Sequence, residues 1–394
     1  MSNAVATSPF DNIKGTEDKF QVATYKKMPF SVERGQGVWV WTSNGEKYLD
    51  LYGGHAVCAT GHSHPHVVKA IKEQADKVLF YSNLVYSEIR GRAAEKLVSV
   101  APDTLTKAFF CNSGTEANEN AMRMARMATG REKIVSFSGG FHGRTADSIS
   151  ATFLGRYRKI GEPNVPYHVE AEFGSIESFR SVIDDETAGV IIEPIQSMAG
   201  VREASPEFFV ELRRLCDETG ALLIFDEVQT GIGRTGSWFF AGNQHAGGVV
   251  PDIITLAKAL GSGIPVGACL VNDRVSSEIK ENDLGTTFGG GMIAMAAVLA
   301  TLEAIEAERM IDNAREVEAY LREALINVAG IKGIRGKGCL LGIEFETPAA
   351  EVFSRLLEKK IISGTSSDSK VLRLLPPLCV WKDELSVFVE ALKG

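Results

Sequence analysis

Lys258 closes the stretch Ile253-Ile254-Thr255-Leu256-Ala257-Lys258, a lone cation after an apolar, β-leaning run. The pattern puts the amine at a strand end, where a buried site begins. Burial disfavours the ammonium form, so the pKa falls and the neutral amine becomes a nucleophile toward carbonyls, as Schiff-base chemistry requires. A second apolar run, Leu222-Leu223-Ile224-Phe225, ends in Asp226 and so carries a carboxylate to the mouth of another strand.

Asn112-Ser113-Gly114-Thr115-Glu116-Ala117-Asn118 lies between an apolar run and a helical pattern over 116–128 that stops at Gly130. Small hydroxyl residues and a glycine at a helix start offer free N–H groups and a favourable dipole to a phosphate, although the same residues suit ordinary capping. A reactive lysine, a carboxylate for a pyridinium nitrogen and a phosphate cradle together meet the demands of pyridoxal 5'-phosphate. Gly231-Ile232-Gly233-Arg234-Thr235-Gly236 matches a dinucleotide fingerprint, but it runs into Ser237-Trp238-Phe239-Phe240 without helical periodicity. A nicotinamide site needs that loop to open a helix directly, so a glycine-rich loop beside Asp226 is the better account.

The elements that must hold these residues read as alternating helices and short continuous apolar runs from about 60 to 280. Strands are expected at 108–111, 133–137, 189–193, 221–225, 253–256 and 268–271. Continuous runs fit strands covered on both faces, hence an α/β fold with a mainly parallel, doubly wound sheet. Between two of these strands a crossover helix is expected, with Ser205 as N-cap, Pro206 at the first position, Phe208, Phe209, Leu212 and Leu215 on one face and Gly220 at the end. Trp39-Val40-Trp41 and Lys47-Tyr48-Leu49-Asp50 flank Asn44-Gly45 as a hairpin ending an N-terminal arm. Residues 294–328 read as one long helical stretch, followed by strands near 338–345 and 371–375 in a smaller α+β unit. The expected division is 1–55, arm and hairpin belonging with the small domain; 56–290, large domain; and 291–394, the C-terminal small domain.

The composition bounds the function. In 394 residues, 44% are hydrophobic and 23% charged, with a net charge of -8 and no Lys/Arg cluster in the sequence to neutralise phosphates, so a nucleic-acid footprint is not expected. No segment reaches the length of an apolar membrane span, and Met1-Ser2-Asn3-Ala4-Val5-Ala6 lacks the pattern of a secretion signal, which leaves a cytoplasmic address. Cys58, Cys111, Cys216, Cys269, Cys339 and Cys379 are scattered, mostly in apolar runs, and read as reduced thiols. His62-Ser63-His64-Pro65-His66 is read as a turn into a helix over 67–78 rather than as a metal site, because Pro65 interrupts any strand and no acid cluster lies beside it.

The motifs above, together with Gly53-Gly54, Gly61-His62, Phe141-His142-Gly143-Arg144-Thr145, Glu193-Pro194-Ile195-Gln196, Asp226-Glu227-Val228-Gln229 and Leu256 to Gly261, make the chain resemble the class III (ornithine-type) aminotransferases of fold type I, from Tyr48 to about Leu378. The resemblance implies pyridoxal 5'-phosphate as cofactor, a homodimer with shared active sites, and transfer between a small-molecule amino donor and a 2-oxo acid. The implied donor is the terminal amine of N-acetylornithine or a similar N-acylated diamino acid and the acceptor 2-oxoglutarate, as in arginine biosynthesis. A 4-aminobutyrate or other ω-amine transaminase, or an aminomutase, is the alternative.

The same resemblance implies that Lys258 bonds the cofactor and then shuttles the proton, while Asp226 keeps the pyridine nitrogen protonated. Phe141 stacks on the ring, Gln229 touches its oxygen, and Gly114 and Thr115 hold the phosphate with Thr287 of the neighbouring subunit. Ser113, His142 and Val228 complete the cofactor set. Arg144 clamps a substrate carboxylate with Thr286 adjacent, Arg373 takes the carboxylate of glutamate, and Glu193 completes the substrate set. Taken by its local pattern alone, Arg373 reads as a strand-edge charge. Met198 stands where the resemblance predicts a second glutamate, the acid that pairs with the glutamate-binding arginine.

Overall fold

The computed structural model describes residues 8–393; residues 1–7, where the start of the chain was read for a secretion signal, lie outside the described residues. The first ordered element is the helix Pro9–Phe20, capped by Ser8 and without a buried residue. Strands β1 (Val32–Gln36), β2 (Trp39–Thr42) and β3 (Lys47–Asp50) then form an antiparallel meander, with Gly45 at φ 81° supplying the left-handed turn position expected at Asn44-Gly45.

The main sheet contains β4 (Leu105–Cys111), β5 (Lys133–Phe137), β6 (His168–Ala171) and β7 (Thr187–Ile192). After the short pair β8 (Ile195–Gln196) and β9 (Arg202–Glu203) come its remaining strands, β10 (Leu222–Asp226), β11 (Ile253–Leu256) and β12 (Gly267–Asn272). The spatial order is β4-β12-β11-β10-β7-β5-β6, and only β12 runs against its neighbours.

Successive residues of these strands enter different cores. Ile191, Leu222, Ile224 and Ile253 pack with Ala117, Ala121 and Met122 of the helix Gly114–Thr129. Val190, Ile192, Leu223, Phe225 and Ile254 pack with Phe208 and Phe209 of the helix Pro206–Thr219 and with Met295 and Val298 of the helix Met292–Ala307. Side chains alternate faces along a strand, so two apolar cores require the continuous runs seen in the sequence. The crossover helix is built as expected: Ser205 accepts from the Phe208 N–H, Pro206 begins it, and Gly220 at φ 76° ends it.

Beyond the main sheet, β13 (Ile331–Lys337), β14 (Leu340–Phe345), β16 (Gly364–Thr365) and β17 (Val371–Leu374) form an antiparallel sheet in the order β13-β14-β17-β16. The intervening β15 (Ile361–Ile362) leaves that sheet and pairs in parallel with β3. Among the described residues no helix is long and apolar enough to cross a membrane.

Three differences from the sequence reading have physical causes. The expected helical stretch is two helices, Met292–Ala307 and Met310–Leu325, divided where Arg309 adopts φ 53°. The first is buried around most of its circumference, whereas the second buries one stripe of Met310, Ala314, Val317, Leu321 and Leu325, so the two serve different surroundings. Strand β6 was missed because it is an edge strand, half exposed and paired only with β5. Strand β13 was missed because Gly333, Gly336 and its basic residues obscure any apolar run.

Candidate active site

The parallel strands β4, β10 and β11 deliver their C-terminal ends to one side of the sheet, the usual location of ligand sites in such folds. Asp226 ends β10 and is paired in register with Thr255 of β11, three residues before Lys258. Lys258 itself begins a tight 3-10 turn, Lys258–Gly261, at φ 41°. A left-handed lysine is locally strained, and such strain persists where the surroundings fix a side chain in a required direction.

Asp226 is held on both oxygens. Oδ2 accepts from His142 Nδ1 at 2.8 Å and from Asn118 Nδ2 at 2.7 Å, and Oδ1 accepts from the Val228 N–H at 3.1 Å. Asn118 was not singled out from the sequence, yet it is the hinge of this cluster. Its amide also donates to the His142 carbonyl at 2.7 Å and its Oδ1 accepts from the Thr255 hydroxyl at 2.6 Å. The only available signal was its place in the Asn112 to Asn118 motif.

Three groups here depart from their ordinary titration range. Desolvation lowers the pKa of Lys258 to about 8, against the pull of Asp226 and Glu193 and with a smaller push from Arg373. Glu193 is raised to about 7, first by burial and then by Asp226, and its Oε1 accepts from the Phe141 N–H at 2.8 Å. His55 keeps solvent access, yet desolvation, then Arg373, Lys258 and Arg144 push its imidazole down to about 3. Lys258 thus lies within electrostatic reach of Asp226, Glu193 and Arg373, and His55 within reach of Arg373, Lys258 and Arg144.

At the start of the helix Gly114–Thr129, Ser113 spends its hydroxyl on capping by accepting from the Glu116 N–H. The N–H groups of Gly114 and Thr115 stand at the helix start, where no preceding carbonyl can accept them. A Cβ on Gly114 would lie 3.0 Å from both methyls of Val228, so a glycine keeps the cradle open. The Thr115 hydroxyl bonds Ser148 at 2.5 Å and Thr145 at 2.7 Å. Phe141 meets Tyr157 edge-on at 5.2 Å.

The remaining residues are more dispersed. Arg144 is exposed and donates to the Tyr25 hydroxyl at 2.9 Å. Thr286 accepts from Asn112 Nδ2 at 3.0 Å, whereas Thr287 is exposed and has no hydrogen bond among the described residues. Arg373 corrects its local pattern reading: it is not a strand-edge charge but a buried residue on β17, between β14 and β16. Met198 is half buried, and its carbonyl accepts from the Ser367 N–H at 2.9 Å. The Gly231 to Gly236 run forms turns that open no helix, with Arg234 wholly buried and bonded to the carbonyls of Cys339 and Pro376. His62, His64 and His66 bond three different acids, Asp50, Glu308 and Glu303.

Residues 20–394 match the family model of the class-III aminotransferases. The acetylornithine aminotransferase of Methanopyrus kandleri is 42% identical over 371 residues, covering 93% of this chain and 94% of that protein. The [LysW]-aminoadipate semialdehyde transaminase of Deinococcus radiodurans is 38% identical over 382 residues, covering 95% and 88%. Among solved structures, the ornithine aminotransferase of Toxoplasma gondii ME49 superposes with a TM-score of 0.90 at 26% identity, covering 97% of this chain and 93% of that one. The chain belongs to the class-III aminotransferases.

It is therefore a transaminase dependent on pyridoxal 5'-phosphate. The residues present fit that cofactor. Lys258 is an amine with a lowered pKa, Asp226 a fixed carboxylate, and Gly114 and Thr115 an N-terminal anion cradle. Two buried atoms near them, His142 Nε2 and Gln229 Oε1, lack a partner within the chain, as expected of groups that face a ligand.

Proposed function

We propose that this enzyme transfers the terminal amino group of N-acetylornithine, or a similar N-acylated diamino acid, to 2-oxoglutarate, giving a semialdehyde and glutamate. The observation that carries the reading is Lys258 in its left-handed turn, its charge destabilised by burial, within electrostatic reach of Asp226, Glu193 and Arg373. The relatives named for acetylornithine and for a LysW-linked aminoadipate semialdehyde support the donor class.

Pyridoxal 5'-phosphate, when bound, supplies the aldehyde that receives the amino group and a ring that takes up the electrons released at the donor carbon. The N–H groups of Gly114 and Thr115 would hold its phosphate, Phe141 would cover the ring, Gln229 would serve the ring oxygen, and Ser113, His142 and Val228 would complete the set. Asp226, locked by His142, Asn118 and the Val228 N–H, keeps the ring nitrogen protonated. Lys258 Nζ would take a proton from the donor's amine-bearing carbon and hand it to the cofactor, and in the second half-reaction it would carry one back from the cofactor to the carbon that was the acceptor's carbonyl. Arg144, with Thr286 nearby, binds the donor carboxylate, Arg373 binds that of glutamate or 2-oxoglutarate, and Glu193 orders the wall between them. Guanidinium groups suit both tasks because their planar fork pairs with a carboxylate at two points.

We also read the working form as a homodimer. An exposed apolar surface over Leu79, Phe80, Tyr81, Leu84 and Tyr86 continues to Phe288, next to Thr287, and supports docking of a second copy that would carry Thr287 to its neighbour's phosphate. The division into 1–55, 56–290 and 291–394 is supported by the pairing of β3 with β15, which ties the N-terminal strands to the C-terminal part. Six free cysteines support a cytoplasmic location.

A second reading, an ω-amine transaminase or an aminomutase, rests on Met198: the resemblance calls for an acid there to pair with Arg373, and a different set of substrates would account for its absence. Single-turnover absorbance separates the two. Loss of the cofactor's visible band with both N-acetylornithine and glutamate supports the first; conversion by glutamate and 4-aminobutyrate without N-acetylornithine supports the second.

A further inference from the structure

Arg373 is 2% exposed, and the oxygens that hold it are all neutral. Nε donates to the Thr365 carbonyl at 2.8 Å, Nη1 to Ser197 Oγ at 3.1 Å and Nη2 to the Tyr52 hydroxyl at 2.6 Å. A guanidinium has five N–H groups, so one remains on each terminal nitrogen, the number a carboxylate takes in two-point pairing.

Tyr52 is built into its place from several sides. Its N–H is fixed by Asp50 Oδ1 at 2.9 Å, and its ring meets His55 edge-on at 4.9 Å. The ring also fills the space that Gly364 leaves on β16, where a Cβ would come within 1.9 Å of Tyr52 Cε2. The phenol accepts from Arg373, and among the described residues no acceptor takes its own hydrogen. That O–H is therefore a free donor attached to the atom that orients the guanidinium.

We propose that Tyr52 is a substrate-positioning residue: it accepts one N–H from Arg373 and donates its hydroxyl hydrogen to the carboxylate that Arg373 binds. This rests on the assignment of Arg373 to the 2-oxo acid or glutamate carboxylate under Proposed function. Tyr52 gives the carboxylate a third donor, and it occupies the guanidinium between substrates without neutralising it. No acid has to be displaced when the carboxylate arrives. Tyr52 is thus the counterpart, on this chain, of the acid missing at Met198.

The test uses the holoenzyme and glutarate, an unreactive dicarboxylate, in isothermal titration calorimetry. Tyr52→Phe keeps the ring and is expected to weaken glutarate about 10-fold, the value of one hydrogen bond to a charged group. In the separate half-reactions it should raise the half-saturating glutamate concentration by a similar factor, leave the limiting rate within about two-fold, and leave N-acetylornithine saturation unchanged. Tyr52→His, which restores an N–H donor, should recover part of the affinity and serves as the second variant where Tyr52→Phe folds poorly. Wild-type glutarate affinity in both variants, or equal losses in the two half-reactions, overturns the proposal. Arg373→Ala is the control: if it too binds glutarate normally, the assignment of Arg373 itself fails, a result distinct from failure of Tyr52 alone.

Discussion

Asn118→Leu is the sharpest test of how the site is held. Leucine matches asparagine in size but has no polar atoms, so the substitution removes three hydrogen bonds at a residue only 1% exposed. The bond to Asp226 Oδ2 at 2.7 Å is charge-assisted and contributes about 1.5–3 kcal/mol. The His142 carbonyl and the Thr255 hydroxyl are then left short of a partner in a dry interior, at about 1 kcal/mol or more each. The expected loss is about 4 kcal/mol. It is read as a lower urea midpoint for the cofactor-free enzyme, with Thr255→Val as a second variant and both changes combined to close a cycle. Asn118 and Thr255 should couple by about 1 kcal/mol, because they share one hydrogen bond. A loss under about 1 kcal/mol, or additive single effects, refutes the view that Asn118 fastens Asp226 to the sheet.

Lys258→Ala should abolish transamination while the enzyme still retains cofactor noncovalently through gel filtration; turnover by this variant would sink the role given to Lys258. In the cofactor-free enzyme, acetylation of Lys258 followed by mass spectrometry should rise through pH 8, because its folded value is lowered from 10.5 to about 8 and the neutral amine is the reactive form. The unfolded chain holds that proton up to about 10.5, so between the two values the unfolded state binds more protons and this group's contribution to stability rises with pH. An inflection near 10.5 instead would show that burial does not act on this amine. Met198→Glu should pair with Arg373 and weaken glutarate about 10-fold by calorimetry; unchanged binding would mean the new acid does not reach the guanidinium. Leu84→Asp, a charge placed in the exposed apolar surface, should give a monomer in sedimentation and looser cofactor retention, and an unaltered sedimentation coefficient would remove that surface from the dimer contact.

Much of this site could be read before the fold because its parts are punctuated by strand ends. Lys258 and Asp226 follow runs buried on both faces, and such runs are legible without knowing their neighbours. The helix start at Ser113-Gly114 is equally local, since capping residues mark it. What stayed hidden depends on long-range pairing. Arg373 looks like an edge charge in Val371-Leu372-Arg373-Leu374 because nothing in those four residues records that β14 and β16 enclose them. Tyr52 and His55 follow a strand in a glycine-rich stretch that reads as a turn, and Arg373, which acts on both, lies in the last quarter of the sequence. Asn118 looks like one more polar residue in a helix until the sheet brings Asp226 and Thr255 to it.

The pairing of β3 with β15 also sets a schedule. Leu49 meets Ile361, and Tyr52 reaches Arg373 across 321 residues of chain. At a ribosomal rate of ~5–20 residues per second, roughly 15–60 s separate the synthesis of the two partners. The main sheet, complete by residue 272, can form in that interval, so the contact of Tyr52 with Arg373 comes after it. A nascent chain stalled before β15 could therefore set Lys258 beside Asp226 and still lack the arginine proposed to bind a dicarboxylate.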